Sequence, residues 1–190
     1  METALIITAI LLILFSALAL YDGFYLHIFR YQLHNFSQSK TEHLTHTIRA
    51  IFFPAILCFL FLKQDCTTSF IIGLVIVVLD ITVMAVDAFV EKDSREFMGG
   101  LPRWEYILHL FVNGFHFASI AVFLSIKLRY ENNQMAILSN IVQYQNYKIF
   151  HTIVNNLLPG AILIALLHLL LCIPKTRIRW NKLRDKIQCC

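Results

Sequence analysis

Residues 3 to 21 form one uncharged apolar run, and nothing else constrains the fold of this chain so tightly. A helix of that length rises about 28 Å, close to the roughly 30 Å of hydrocarbon in a bilayer. A cleaved leader needs a basic start, whereas Glu2 is the only early charge. The run therefore reads as a retained first span over about 3–26.

Four more spans follow. The apolar stretch Ala50–Leu62 is short, and becomes a span over about 45–63 if the helix starts near Thr45 and Arg49 snorkels to the interface. Pro54 is a kink that bilayer helices tolerate. The third, fourth and fifth spans run over about 67–90, 104–127 and 149–174, with a kink expected at Pro159-Gly160. Met135 to Tyr147, polar and aromatic by turns, reads as an interfacial helix. Composition points the same way: 58% of residues are hydrophobic and only 15% charged, too little charge to cover a soluble domain. The expected fold class is all-α, a polytopic transmembrane helical bundle of about five spans forming a single integral membrane domain over 1–190. No internal repeat is present.

Five spans put the termini on opposite sides. The face holding the loops 22–49 and 91–104 and the basic tail 175–190 carries 12 of the 16 Lys and Arg. By the positive-inside rule that face is cytoplasmic, with the N-terminus outside and the C-terminus inside. The tail is expected against anionic headgroups, so membrane lipids are the expected partners. The charge is uneven rather than patched, so no nucleic-acid partner is expected. The five cysteines contain no CxxC and build neither a disulfide framework nor a zinc ribbon. Cys189-Cys190 ends the chain in a short lipidation-like signal.

The polar residues inside the spans carry the chemistry. From the turn between the third and fourth spans, Glu91, Asp87 and Asp80 lie backward, and Glu105, His109 and His116 lie forward. In both directions the steps are four and seven residues, so each set forms one stripe on a helix. In an antiparallel hairpin, Glu91 and Glu105 would stand at the mouth and Asp87 and His109 about 6 Å deeper. Asp80 and His116 would pair roughly 16 Å down. Glu42, His43 and His46 add a carboxylate and two imidazoles at the start of the second span, and Glu105–His109 repeats the i, i+4 spacing of Glu42–His46. His27 and His34, seven apart, share a face if the first helix runs on. Seven of the eight histidines fall on the cytoplasmic side; His151 is the exception.

Carboxylates and imidazoles on facing helices are the donor set of Fe, Mn or Zn sites in bundles. The metal-ligand set expected from the sequence is Asp87, Glu91, Glu105 and His109, helped by His43 and His46, with Asp80 and His116 as a deeper pair. The bland alternative is interhelical hydrogen bonding that merely locks the bundle, and Asn113, Asn155 and Asn156 read that way. In the turn, Gly99-Gly100 gives a tight backbone, and Arg95 and Arg103 are candidates for a lipid phosphate.

The segments YDGFYLHIFRYQLH, EHLTHTIRAIFFP and EKDSREFMGGLPRWEYILH resemble an uncharacterised family of bacterial inner-membrane proteins. The likeness covers roughly residues 20 to 116. It implies a bacterial inner membrane and carries no activity with it. The histidines depart from the HxxxH and HxxHH boxes of membrane desaturases, since no two are adjacent.

The expected function is metal-dependent chemistry, oxidation or hydrolysis, on a lipid or quinone-like substrate. Three alternatives stand beside it. One is a b-type haem with His46 and His109 as axial ligands. A second is a proton or ion relay through Asp80, Asp87, His109 and His116. The third is a membrane scaffold without enzymatic activity.

Overall fold

The computed structural model describes residues 1–131, 133–138 and 140–188; Cys189 and Cys190 lie outside the described residues. The chain is an all-α bundle in which five helices are long and apolar enough to cross a membrane. Large apolar side chains cover their outer faces, among them Phe89 (85% exposed) and Leu163 (66%), a surface suited to hydrocarbon rather than water.

Helix α1 (Glu2–Ala19) continues without a break into a π-helix, Leu20–Arg30. Its end is marked by the Tyr31 N–H donating to Leu26 O, five residues back, at 2.8 Å. Gln32, at φ 53°, then turns the chain into a short 3₁₀ segment, Leu33–Asn35. Helix α2 (Lys40–Ile56) contains Pro54 and widens into a second π-helix, Leu57–Leu62. Proline removes one amide donor and crowds the carbonyl four residues before it, so a change of helical pitch just beyond it has a local cause. Helix α3 (Thr67–Arg95) and α4 (Arg103–Lys127) are joined by a 3₁₀ turn, Glu96–Met98, and by Gly99 and Gly100 at φ 91° and 87°. Only glycine takes those angles without strain.

Among its described residues, the segment read as an interfacial helix is not helical before Tyr147, where α5 begins. Strands β1 (Leu128–Glu131) and β2 (Gln134–Ile137) pair as an antiparallel hairpin, with Asn133 at φ 59° in its turn. A left-handed asparagine is what a tight hairpin turn needs, and it interrupts any helix through this region. Helix α5 (Tyr147–Leu171) runs through Pro159-Gly160, and α6 (Pro174–Gln188) folds the basic tail back on the bundle. There Arg177 Nη1 donates to His34 O at 2.9 Å and Asn181 bonds Asn35.

The packing order differs from the chain order. α1 packs along α4, α2 along α3, and α5 lies against both α1 and α2. α3 and α4, though consecutive, do not pack against each other along their length. The expected close hairpin of these two helices is therefore corrected: they face each other across a gap that polar side chains fill.

The opposite end of the bundle is apolar and aromatic. Leu5, Leu12, Phe61, Phe70, Phe123 and Phe150 are fully buried there. Phe123 stacks on Phe150 with centroids 5.5 Å apart and meets Phe61 edge-on at 4.8 Å. Gly73 lets α3 approach closely, since a Cβ there would lie 2.9 Å from the Leu60 backbone. The one charge drawn into this end, Lys127, is bonded by Gln64 Oε1 and the Leu138 carbonyl.

Candidate metal centre

The π-helical turn of the first span organises the polar end. In an α-helix, residues five apart lie about 140° around the axis. With i to i+5 bonding that angle shrinks to about 50°, which brings the two onto one side of the helix. Asp22 and His27 therefore point the same way, and His27 Nε2 stands 3.3 Å from Asp22 Oδ1. Across from them α4 presents Glu105 and His109, one α-turn apart. His109 Nε2 lies 3.1 Å from the same Asp22 oxygen, and His27 Nε2 lies 3.6 Å from Glu105 Oε1.

One ligand atom from each of Asp22, His27, Glu105 and His109 falls within 4.8 Å of every other. A second group of three, His27, Glu42 and His46, meets the same limit and shares His27 with the first. The rings confirm the crowding: His27 meets His46 edge-on at 4.1 Å and His109 at 5.7 Å.

Neighbouring residues hold this set in place. Arg95 is buried and donates through Nε to Glu42 Oε1 at 2.8 Å and through Nη2 to Glu105 Oε1 at 3.0 Å. Ser94 bonds the other Glu42 oxygen. Glu91 Oε1 lies 2.7 Å from His109 Nδ1. Asp87 accepts from the Thr45 hydroxyl and lies 3.2 Å from His46 Nε2. One layer deeper, Asp80 Oδ2 pairs with His116 Nε2 at 3.1 Å and Asp80 Oδ1 with Arg49 Nε at 3.3 Å. Arg49 Nη2 donates to Asn113 at 2.7 Å.

Several sequence expectations change here. Asp80 and His116 do meet, and Glu105, His109 and Glu91 converge on one region. Asp87 does not pair with His109; it turns to Thr45 and His46 on α2, and Glu91 meets the imidazole instead. His43 lies away from the four-residue group, between His34 and His168, with ring centroids 5.7 and 5.6 Å away. Arg49 points inward to Asp80 rather than snorkelling to the interface. Arg95 holds two carboxylates rather than a lipid phosphate. His27 and His34 do not share a face, since the helix ends between them. Asp22 and His27, absent from the expected ligand set, stand at its centre; their five-residue spacing is invisible to a 3.6-residue search.

The donor chemistry fits a cation. Asp22, Glu42, Asp87, Glu91 and Glu105 are all buried around the single buried guanidinium of Arg95. A surplus of buried negative charge costs several kcal/mol per ion unless a proton or a cation offsets it. His27 Nδ1 and Nε2, His46 Nε2 and Glu105 Oε2 are buried and have no aligned hydrogen-bond partner among the described residues. Of these residues, His27 and Glu105 each offer one atom to the four-residue group, while His46 Nε2 faces Asp87 at 3.2 Å. A haem between His46 and His109 fits less well, because His27 packs against both rings where a macrocycle would lie.

An internal cavity of about 400 Å³ adjoins the site. Asp22 and His46 line its upper part, Arg49, Asp80 and His116 line its deeper part, and Phe15 and Phe53 are among its walls.

No family model, no curated protein and no solved structure matches this chain. The bacterial inner-membrane resemblance thus rests on the sequence segments alone.

Proposed function

We propose that this protein is a metal-dependent membrane enzyme acting on a lipid or quinone-like substrate, in a bacterial inner membrane. One observation carries the reading: Asp22, His27, Glu105 and His109 converge within 4.8 Å, three of them buried and His109 half-buried, beside a largely apolar cavity. A divalent Fe, Mn or Zn is the group this mixed oxygen and nitrogen set suits. When bound, it supplies Lewis acidity or an acidified water.

The chain's own residues do the rest. Arg95 fixes the carboxylates of Glu42 and Glu105 from behind, leaving Glu105 Oε2 free. Glu91 orients the His109 ring from its Nδ1 side, as a carboxylate behind a ligating imidazole does, and Asp87 with Thr45 faces His46 Nε2. Phe15, Phe53 and their neighbours keep bulk water from the cavity side.

The test is metal content and absorption on protein purified in detergent without added metal or chelator. Stoichiometric Fe, Mn or Zn that disappears in His109→Ala supports the reading. A folded, metal-free, colourless wild type overturns it, and a Soret band moves the case to haem. A second reading, a purely structural ion-pair cluster, draws on Arg95 bridging Glu42 and Glu105; it expects folded protein with no stoichiometric metal.

A further inference from the structure

The cavity beside the metal centre has polar groups at both ends and apolar walls between, and its deeper end is unusual. Arg49 sits within the bilayer span with two of its donors engaged, Nε on Asp80 and Nη2 on Asn113. Those bonds use two of the five N–H groups of the guanidinium, and the residue lines the cavity. His116 is buried, lines the same space, and leaves Nδ1 without a partner. Asp80 already balances the guanidinium charge. The remaining N–H groups of Arg49 therefore suit a neutral acceptor such as a carbonyl oxygen, since an anion would bring uncompensated charge into low dielectric.

The upper end offers His46, Asp22 and the metal donors. His46 and Arg49 are three residues apart on α2, about 4.5 Å of rise. That spacing puts both on one face of the helix, toward the same cavity. Phe15 and Phe53 stand edge-on at 4.7 Å, and Phe15 packs on His116 at 4.5 Å, giving an aromatic wall for a flat ring.

The way in is also visible. Leu20 on the first span (49% exposed) and Leu163 on α5 (66%) line the cavity and face the hydrocarbon. Ala19 and Gly160 line the cavity beside them with little or no side chain. A Cβ at Gly160 would meet nothing within 4 Å.

We infer that this cavity binds a quinone-type lipid, its carbonyl-bearing ring held between Arg49 and the metal-side donors, its tail leaving to the bilayer between α1 and α5. This rests on the proposed function for its upper end alone; the Arg49 end and the portal stand without a metal.

The test uses full-length protein in detergent and a benzoquinone bearing a ten-carbon tail, with bound quinone counted by absorbance after gel filtration. The methyl ester of a ten-carbon fatty acid is the comparison ligand, and metal content is measured on every sample. Saturable quinone binding is expected, at least tenfold tighter than the ester. Gly160→Leu, which puts a side chain into open space at the portal, should weaken it at least tenfold with metal content unchanged. Arg49→Lys keeps the charge beside Asp80 but loses the planar fork, and should weaken it about fivefold. Metal-loaded wild type that takes up no quinone, or binds the ester equally well, overturns the inference and leaves the metal reading intact. Quinone binding that ignores Gly160→Leu also overturns it. Quinone binding to metal-free protein, lost in Gly160→Leu, supports the cavity and sinks the metal.

Discussion

The two ends of this bundle are held by different forces. At the aromatic end, Phe61, Phe123 and Phe150 interleave and the Lys127 ammonium donates to Gln64 and to the Leu138 carbonyl. At the polar end, carboxylates outnumber guanidinium groups, and buried imidazole nitrogens on His27, His43, His46, His116 and His168 lack partners. In lipid, apolar surface alone does not drive helices together, so packing detail must do it. The aromatic end has that detail. The polar end instead spends burial on groups that remain unsatisfied, and such sites belong to ligands rather than to stability.

Substitutions can break this contrast. Arg95→Met should have the largest effect, about 3–5 kcal/mol of stability, because Glu42 and Glu105 lose a buried counter-charge. Adding Glu42→Gln and Glu105→Gln to it should restore much of the loss, read by thermal unfolding in detergent. Phe123→Ala should cost a similar or slightly smaller amount, about 3–5 kcal/mol on the scale of buried aromatic truncations, and leave metal content untouched. If it removed metal as well, the two ends would be coupled and the comparison would fail. Gly73→Ala should cost about 1–3 kcal/mol by pushing α3 off the Leu60 backbone, again without changing metal content.

The smallest effect concerns the docking of α6. Burial pushes the His34 imidazole below its usual range, while its Asn181 bond pulls the other way and Arg177 and Arg184 add to the lowering. A base with a lowered folded pKa sits neutral in place. Its docking is at full strength above the unfolded value of about 6.5 and weakens as pH falls below it. Trp180, which meets Phe24 at 6.2 Å, reports this by fluorescence in a Trp104→Phe background. His34→Gln should flatten the response.

The five spans were legible because length and charge exclusion are local properties. The depth match of Asp80 with His116 was legible because it needs only one rise per residue. The rest depended on features the sequence does not display. Asp22 and His27 align only in a π-helix, and an α-helical period separates them. Arg95 and Arg49 look like interfacial cations by position, yet each turns inward to a carboxylate from another helix. The partner of His109 changed from Asp87 to Glu91, and Asp87 turned to Thr45 and His46 on α2. The hairpin at 128–137 hinged on the left-handed Asn133.

The pairing of α1 with α4 has a consequence for synthesis. About seventy residues separate the end of the first span at Arg30 from the start of the fourth at Arg103. At about 5–20 residues per second, roughly 4 to 15 s pass between their appearances at the ribosome. Throughout that interval Asp22 and His27 are made but their partners Glu105 and His109 are not. The first helix must wait in the membrane with its polar turn uncovered on the α4 side, and the donor set closes only when the fourth span arrives. A chain that stalls before residue 103 holds Asp22 and His27 with each other and with α2, but without Glu105 and His109.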